Sequence, residues 1–230
     1  MPMDYSKHIL TFFKGLHLTH KLPNGVEVMN PYQNEVAFAL CKKFYNKYYN
    51  NSQPRKIILG INPGRFGAGL TGIPFTDPVK LEEECGILNN LTKKRELSAD
   101  FIYLMINAFG GKEIFYNQFY FGSVSPLGFT KDGKNLNYYD DPKLQKAVLP
   151  FIINTINIQI NFGLNTEVAY CLGEGKNYKF LTKLNAEHQF FKNIIPLSHP
   201  RFIMQYRRKT MHLFIDDYLK KLNDPESFVS

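Results

Sequence analysis

Residues 56–75 read Lys56-Ile57-Ile58-Leu59-Gly60-Ile61-Asn62-Pro63-Gly64-Arg65-Phe66-Gly67-Ala68-Gly69-Leu70-Thr71-Gly72-Ile73-Pro74-Phe75. Ile57, Ile58 and Leu59 form a short unbroken apolar run, the texture of a strand buried on both faces. Five Gly and two Pro follow among the sixteen residues from Gly60 to Phe75, so the strand empties into a loop. Glycines there permit positive φ and a close approach of backbone to a ligand. A strand followed by such a loop predicts one unit of a parallel sheet, whose ligands bind beyond the carboxyl ends of its strands.

Outward from this stretch, strand and helix patterns alternate. Ser98 can cap a helix through Phe109, ended by Gly110-Gly111. Phe119–Ser125 reads as a strand. Asp140 or Asp141 can cap a helix with Pro142 in its first turn, running to about Ile160. Val168–Leu172 is a strand ending at Gly173, followed by a helix to about Asn185. Asn193–Leu197 is a strand ending at Ser198-His199-Pro200, and an amphipathic helix over about Ile203–Leu222 closes the pattern. Upstream, Tyr5–Leu16 and Asn34–Tyr49 are amphipathic helices around the turn-rich segment Lys21–Pro31. The expected fold is α/β: a mostly parallel four-stranded sheet flanked by helices. Residues 1–230 are read as one domain, with a core over about 56–222 and a helical addition over about 1–50.

Composition narrows the function classes. Apolar residues make up 44% of the chain, enough to build a core and to argue against disorder. No apolar run approaches the about 20 residues a membrane span needs, and no secretory signal pattern opens the chain. Cys41, Cys85 and Cys171 fall in no CxxC or CxxH spacing, which argues against a disulfide framework, an iron–sulfur cluster or structural zinc. The expected location is the cytoplasm. A formal net charge of +8 suits an anionic partner without specifying any chemistry. There is no Trp, so Phe and Tyr must supply both core bulk and any stacking on flat ligands. The first loop is not GxGxxG opening a helix and lacks GK[ST], so a nucleotide cofactor is not expected.

The carboxyl ends of the predicted strands hold Gly60–Phe75, Gly122–Leu127, Gly173–Lys176 and Ser198–Tyr206. Asn62 offers a neutral amide at one tip and His199 an imidazole at another. An isolated His at a strand tip is more often a hydrogen-bonding cap than a catalytic group. His199 stands out because its loop and that of Asn62 must emerge on one edge of the sheet.

At these residues a family resemblance becomes specific. Gly60-Ile61-Asn62-Pro63-Gly64-x-Phe66-Gly67 with Thr71-Gly72-x-Pro74-Phe75 resembles the first signature of the single-strand-selective monofunctional uracil-DNA glycosylases, within the uracil-DNA glycosylase superfamily. His199-Pro200 sits where that superfamily has its second signature. Ser125-Pro126-Leu127 with Gly133-Lys134-Asn135-Leu136 resembles the intermediate segment. The order holds over about Lys56–Leu222, and the sequence resembles a bacterial offshoot more than the animal members.

The resemblance implies a three-layer α/β/α fold and a set of roles. Asn62 would orient the attacking water, and His199 would donate to the pyrimidine O2 as charge develops. Phe75 would stack on the everted base, with Gly60, Ile61, Pro63, Gly64 and Phe66 around it. Gly72 matches a position that keeps room beside pyrimidine C5. Ser123 stands where family members read the uracil edge with an Asn. One hydroxyl cannot span two edge atoms as an amide does, which predicts a broader pocket that admits xanthine or oxidised pyrimidines beside uracil. Arg65, Pro200, Arg201, Phe202, Gln205, Tyr206, Arg207 and Arg208 would contact DNA, the segment after His199 acting as the wedge. The implied partner is DNA carrying a damaged base, acted on by a monomer without metal, cofactor or membrane, in a bacterial cytoplasm with access to the nucleoid. No Lys or N-terminal Pro nucleophile is required, so free base and an abasic site are the expected products. The alternative is a catalytically silent relative that binds DNA or abasic sites. An unrelated α/β hydrolase is disfavoured, since Gly122-Ser123-Val124-Ser125 lacks the trailing Gly of a nucleophile elbow.

Overall fold

The computed structural model describes residues 4–228. In chain order it contains α1 (Tyr5–Gly15), β1 (Val26–Met29), α2 (Glu35–Tyr48), β2 (Lys56–Gly60), α3 (Ala68–Thr71), α4 (Pro78–Glu83), α5 (Leu97–Ala108), α6 (Lys112–Gln118) and β3 (Phe119–Ser123). There follow β4 (Gly128–Lys131), β5 (Lys134–Leu136), α7 (Pro142–Ile160), β6 (Val168–Leu172), α8 (Lys176–His188), β7 (Asn193–Leu197), α9 (Pro200–Tyr206) and α10 (Met211–Asn223).

The four-stranded sheet has the order β3-β2-β6-β7, with every neighbouring pair parallel. β2 is interior, which explains the unbroken run of Ile57, Ile58 and Leu59: each side chain meets helices on one face or the other. The register sets Gly60 beside Ser123, Leu59 beside Cys171 and Leu172 beside Leu197. The three loops that leave β2, β3 and β7 therefore start level with one another on one edge.

Aromatic rings fill the layer between α1, α2 and the sheet, as the absence of Trp requires. The Arg55 guanidinium is buried there, 4.7 Å from the Tyr5 ring centroid and 4.9 Å from that of Tyr49. Its Nε donates to the Tyr116 carbonyl at 2.8 Å. A buried cation survives in such a place because its donors are satisfied and ring faces solvate it.

Several expected boundaries move. The helix expected from Ser98 starts at Leu97, with Glu96 at the cap position and no side-chain cap bond, so Ser98 lies inside the first turn. The third strand ends at Ser123 rather than Ser125, although the Val124 and Ser125 N–H groups still bond to the Gly60 and Ile61 carbonyls. The expected helix over 203–222 is two helices, α9 and α10, separated by a 3-10 turn at Arg208–Thr210. Helix α9 starts early because the His199 side chain caps it ahead of Pro200. Helix α10 folds back because the Tyr218 hydroxyl donates to the Ser198 carbonyl. The region before residue 50, expected to be helical, also supplies a strand. β1 pairs antiparallel with β4, and β4 with β5, in a separate three-stranded sheet.

Candidate active site

The aligned strand tips open into a cavity of about 780 Å³. Its walls come from the Gly60–Phe75 loop, the end of β3, the turn after β5, the entry to α5, and α9.

Asn62 follows β2 directly and its amide is locked in place. Its Oδ1 accepts the Tyr138 N–H at 3.1 Å, and its Nδ2 donates to the Leu136 carbonyl at 3.3 Å. One acceptor and one donor on the partner backbone fix which end of the amide is oxygen. Nδ2 also donates to the Pro63 carbonyl at 3.4 Å, so both its hydrogens have partners, while Oδ1 keeps a second lone pair for a ligand. The Lys134–Leu136 strand and its turn thus act as a buttress for the first loop, reinforced where Arg65 N–H donates to Asn135 Oδ1 at 3.2 Å.

His199 is at the cap position of α9, and its Nδ1 accepts the Arg201 N–H at 3.1 Å. An accepting Nδ1 places the ring proton on Nε2, which is then a donor. Burial, with a smaller push from Arg201, lowers its pKa from 6.5 to about 4. The ring is therefore neutral at physiological pH and still presents an N–H. The unfolded chain binds the proton first as pH falls, so the neutral ring's contribution to stability is complete above pH 6.5. That contribution declines as pH drops toward 4. Catalytic activity is expected to stay level from pH 8 to about 5 and to fall as the ring titrates near 4. A pH–rate profile with an acidic limb centred near 6.5 would contradict this.

Phe75 has φ +55°, a left-handed conformation that costs free energy for a bulky residue. Its ring packs 5.3 Å from the Phe121 centroid and lies over Gly60, where a Cβ would come within 3.0 Å of the ring. The missing side chain at Gly60 makes room for the ring beside the strand tip. Ser123 is buried next to Gly60, and its hydroxyl has no hydrogen-bond partner among the described residues.

The rim is aromatic and cationic. Phe66 is 38% exposed, with Arg65 Cζ 4.8 Å and Lys94 Nζ 4.3 Å from its ring centroid. Across the opening, Phe202 and Tyr206 are 42% and 62% exposed, their rings 5.7 Å apart. Arg207 stands 5.5 Å from the Phe202 centroid.

Of the residues singled out from sequence, Gly60, Ile61, Asn62, Pro63, Gly64, Arg65, Phe66, Phe75, Ser123, His199, Arg201, Phe202, Gln205 and Tyr206 line this one cavity. Four do not. Gly72 turns away from it: a Cβ there would come within 2.5 Å of Cys41 Sγ, so its small size serves packing against α2. Pro200 is buried in the first turn of α9, and Arg207 and Arg208 lie beyond the cavity on the outer surface. Glu96 and Asn137, which the sequence did not point to, also line it, as do Lys134 and Asn135 of the intermediate segment, to which the sequence assigned no site role. A second cavity, of about 640 Å³ between α1 and α7, contains none of the motif residues.

The family model described as the uracil DNA glycosylase superfamily matches residues 46–223. The chain belongs to the uracil-DNA glycosylase superfamily. Among solved structures it is similar to the crystal structure of wild-type SMUG2 from Pedobacter heparinus, at 48% identity and a TM-score of 0.95. That alignment covers 98% of this chain and 99% of the other. Among curated proteins no match is found. The function is accordingly of the uracil-DNA glycosylase type. Cys41, Cys85 and Cys171 are all free and buried. Among the described residues, no helix is long and apolar enough to cross a membrane. Nor is any group of three or more His, Cys, Asp or Glu there placed to hold a metal ion.

Proposed function

We propose that this protein is a monofunctional DNA glycosylase that everts a deaminated base and hydrolyses its N-glycosidic bond. The observation that carries the reading is the convergence of Asn62, His199 and Phe75 on one cavity. The cavity's free edges are aromatic and cationic, as a DNA-facing rim requires.

The steps follow from the polar groups. The everted base stacks on Phe75, an interaction worth about 1–3 kcal/mol and tolerant of different bases. The C1′–N bond breaks with its electron pair leaving on the base, and negative charge spreads to O2. The Nε2–H of neutral His199 meets that charge as a preorganised donor. A water held by the remaining lone pair of Asn62 Oδ1 adds to C1′ and gives up a proton to solvent. Asn is no strong base, but an oxocarbenium-like centre accepts a weak nucleophile when it is well placed. The products are free base and an abasic site, without a covalent enzyme intermediate. Exposed Phe202 and Tyr206 are suited to fill the gap in the duplex, with Arg65, Arg201, Arg207 and Arg208 close to phosphates.

Ser123 sets the breadth of substrate. With one short hydroxyl instead of an amide, the pocket beside Gly60 leaves the base edge loosely read, so xanthine and oxidised pyrimidines enter beside uracil. Ser123→Asn is expected to raise the preference for uracil over xanthine by about tenfold, the discrimination typical of an added buried polar contact. Single-turnover rates on oligonucleotides carrying uracil, xanthine or hypoxanthine, single- and double-stranded, test both ideas. Wild-type activity confined to uracil would sink the broad pocket. Binding without base release from every lesion would leave a silent DNA-binding relative.

A further inference from the structure

Glu96 is an acidic side chain in the wall of a cavity whose ligand would be polyanionic. It is largely buried, and burial followed by Asp77 raises its pKa, against smaller opposing effects of Arg201 and the Gly67 backbone N–H. Its neighbours use their charges on each other: Lys80 pairs with Asp100 at 3.2 Å and Arg95 with Glu83 at 2.7 Å. Among the described residues Glu96 has no ion pair of this kind. A group that repels phosphates and is costly to bury needs a compensating role, and such groups concentrate at functional sites.

Its position supplies one. Glu96 leads into α5, which packs against α9, the helix capped by His199. Its own N–H donates to Asp77 Oδ2 at 2.8 Å, and Asp77 also caps α4 by accepting the Val79 and Lys80 N–H groups. The base of the side chain is thereby anchored. Its carboxyl end lies against the turn that follows Asn62. A Cβ at Gly67 would overlap the carboxylate, and one at Gly64 would come within 3.2 Å of Oε1. Only bare glycine backbone lets the carboxylate approach so closely.

We propose that Glu96 is a positioning residue for base release: its carboxyl group, pressed against the Gly64–Gly67 turn at the entry to α5, fixes the spacing between Asn62 and His199, whose helix α9 packs on α5. This rests on the glycosylase reading of the site. A misplacement of about 1 Å between reacting groups costs on the order of 10²-fold in rate, so a strut of this kind acts on the chemical step rather than on DNA affinity.

Three variants and two measurements test it. Base release from a uracil oligonucleotide is followed in single turnover with enzyme in saturating excess. Affinity is measured for an oligonucleotide carrying a tetrahydrofuran abasic analogue. Glu96→Gln keeps the length and an oxygen acceptor, and is expected to react within about threefold of wild type. Glu96→Asp keeps the charge but withdraws it by one methylene, and is expected to lose about tenfold. Glu96→Ala is expected to lose about 10–100-fold. All three should bind the analogue as tightly as wild type, or more tightly. If the Ala variant fails to fold, the order Gln faster than Asp carries the test. Wild-type rates in both Asp and Ala, a Gln variant as slow as Asp, or affinity falling in step with rate would each overturn the proposal. A wild-type enzyme inactive on every base would instead overturn the reading of the site itself.

Discussion

Replacing His199 with alanine is expected to slow base release by about 10²–10³-fold while leaving affinity for an abasic analogue within a few fold. The effect is electrostatic. The donor is fixed before the reaction, because the Arg201 N–H occupies Nδ1 and forces the proton onto Nε2. It is half-buried, and the loss of solvent disfavours the imidazolium, so the ring stays neutral while the base gains charge. An N–H aimed at developing charge in a partly dry site is worth far more in the transition state than in the ground state. The cap of α9 is lost as well, which costs about 1 kcal/mol of stability and separates from the catalytic loss in a melting experiment. A variant that melts normally and reacts at more than a tenth of the wild-type rate would remove His199 from the mechanism.

Asn62→Ala is the second large effect, expected to slow the same step on the order of 10²-fold. Truncation removes the oxygen that holds water and strands two backbone groups, the Tyr138 N–H and the Leu136 carbonyl, whose partner it was. Those groups are part-buried, so stranding them costs about 1–3 kcal/mol of stability, which shows in melting and is separable from the rate loss. Single-turnover kinetics compared with thermal melting separates the two. A rate unchanged within threefold would mean that the water is placed by other atoms.

The legibility of this molecule follows burial. β2 announces itself because a strand covered on both faces is uniformly apolar, and its loop because Gly and Pro punctuate it. β3 and β6 are legible for the same reason, while β7, an edge strand of mixed burial, shows mainly through its Ile194-Ile195 pair and the Ser198-His199-Pro200 stop; the tips of three of the four strands carry the motif residues. β1 was unreadable: Val26-Glu27-Val28-Met29 is four residues long and half-exposed, and its partner Thr130 lies opposite Glu27 from more than a hundred residues away. The break between α9 and α10 contains neither Pro nor Gly; it is made by the Tyr218 hydroxyl reaching Ser198, a tertiary contact with no local trace. The support of Asn62 was hidden for a different cause. Its partners are a backbone carbonyl at 136 and a backbone N–H at 138, which any residue at 136 and any but Pro at 138 would provide. Glu96 sits in the charged run Lys93-Lys94-Arg95-Glu96, which reads as solvated surface until the fold presses its last member against Gly67. Gly72 shows the reverse: its motif position suggested the pocket, and packing against Cys41 claims it instead.

An amide and an imidazole grip an everted base between them in the proposed reaction. The most direct test is chromatographic detection of free uracil after mixing excess protein with an oligonucleotide that carries a single deoxyuridine. One equivalent of uracil is expected, together with a strand that stays intact until alkali cleaves it at the abasic site. Strand scission without alkali, or a bound but unaltered deoxyuridine, would contradict it.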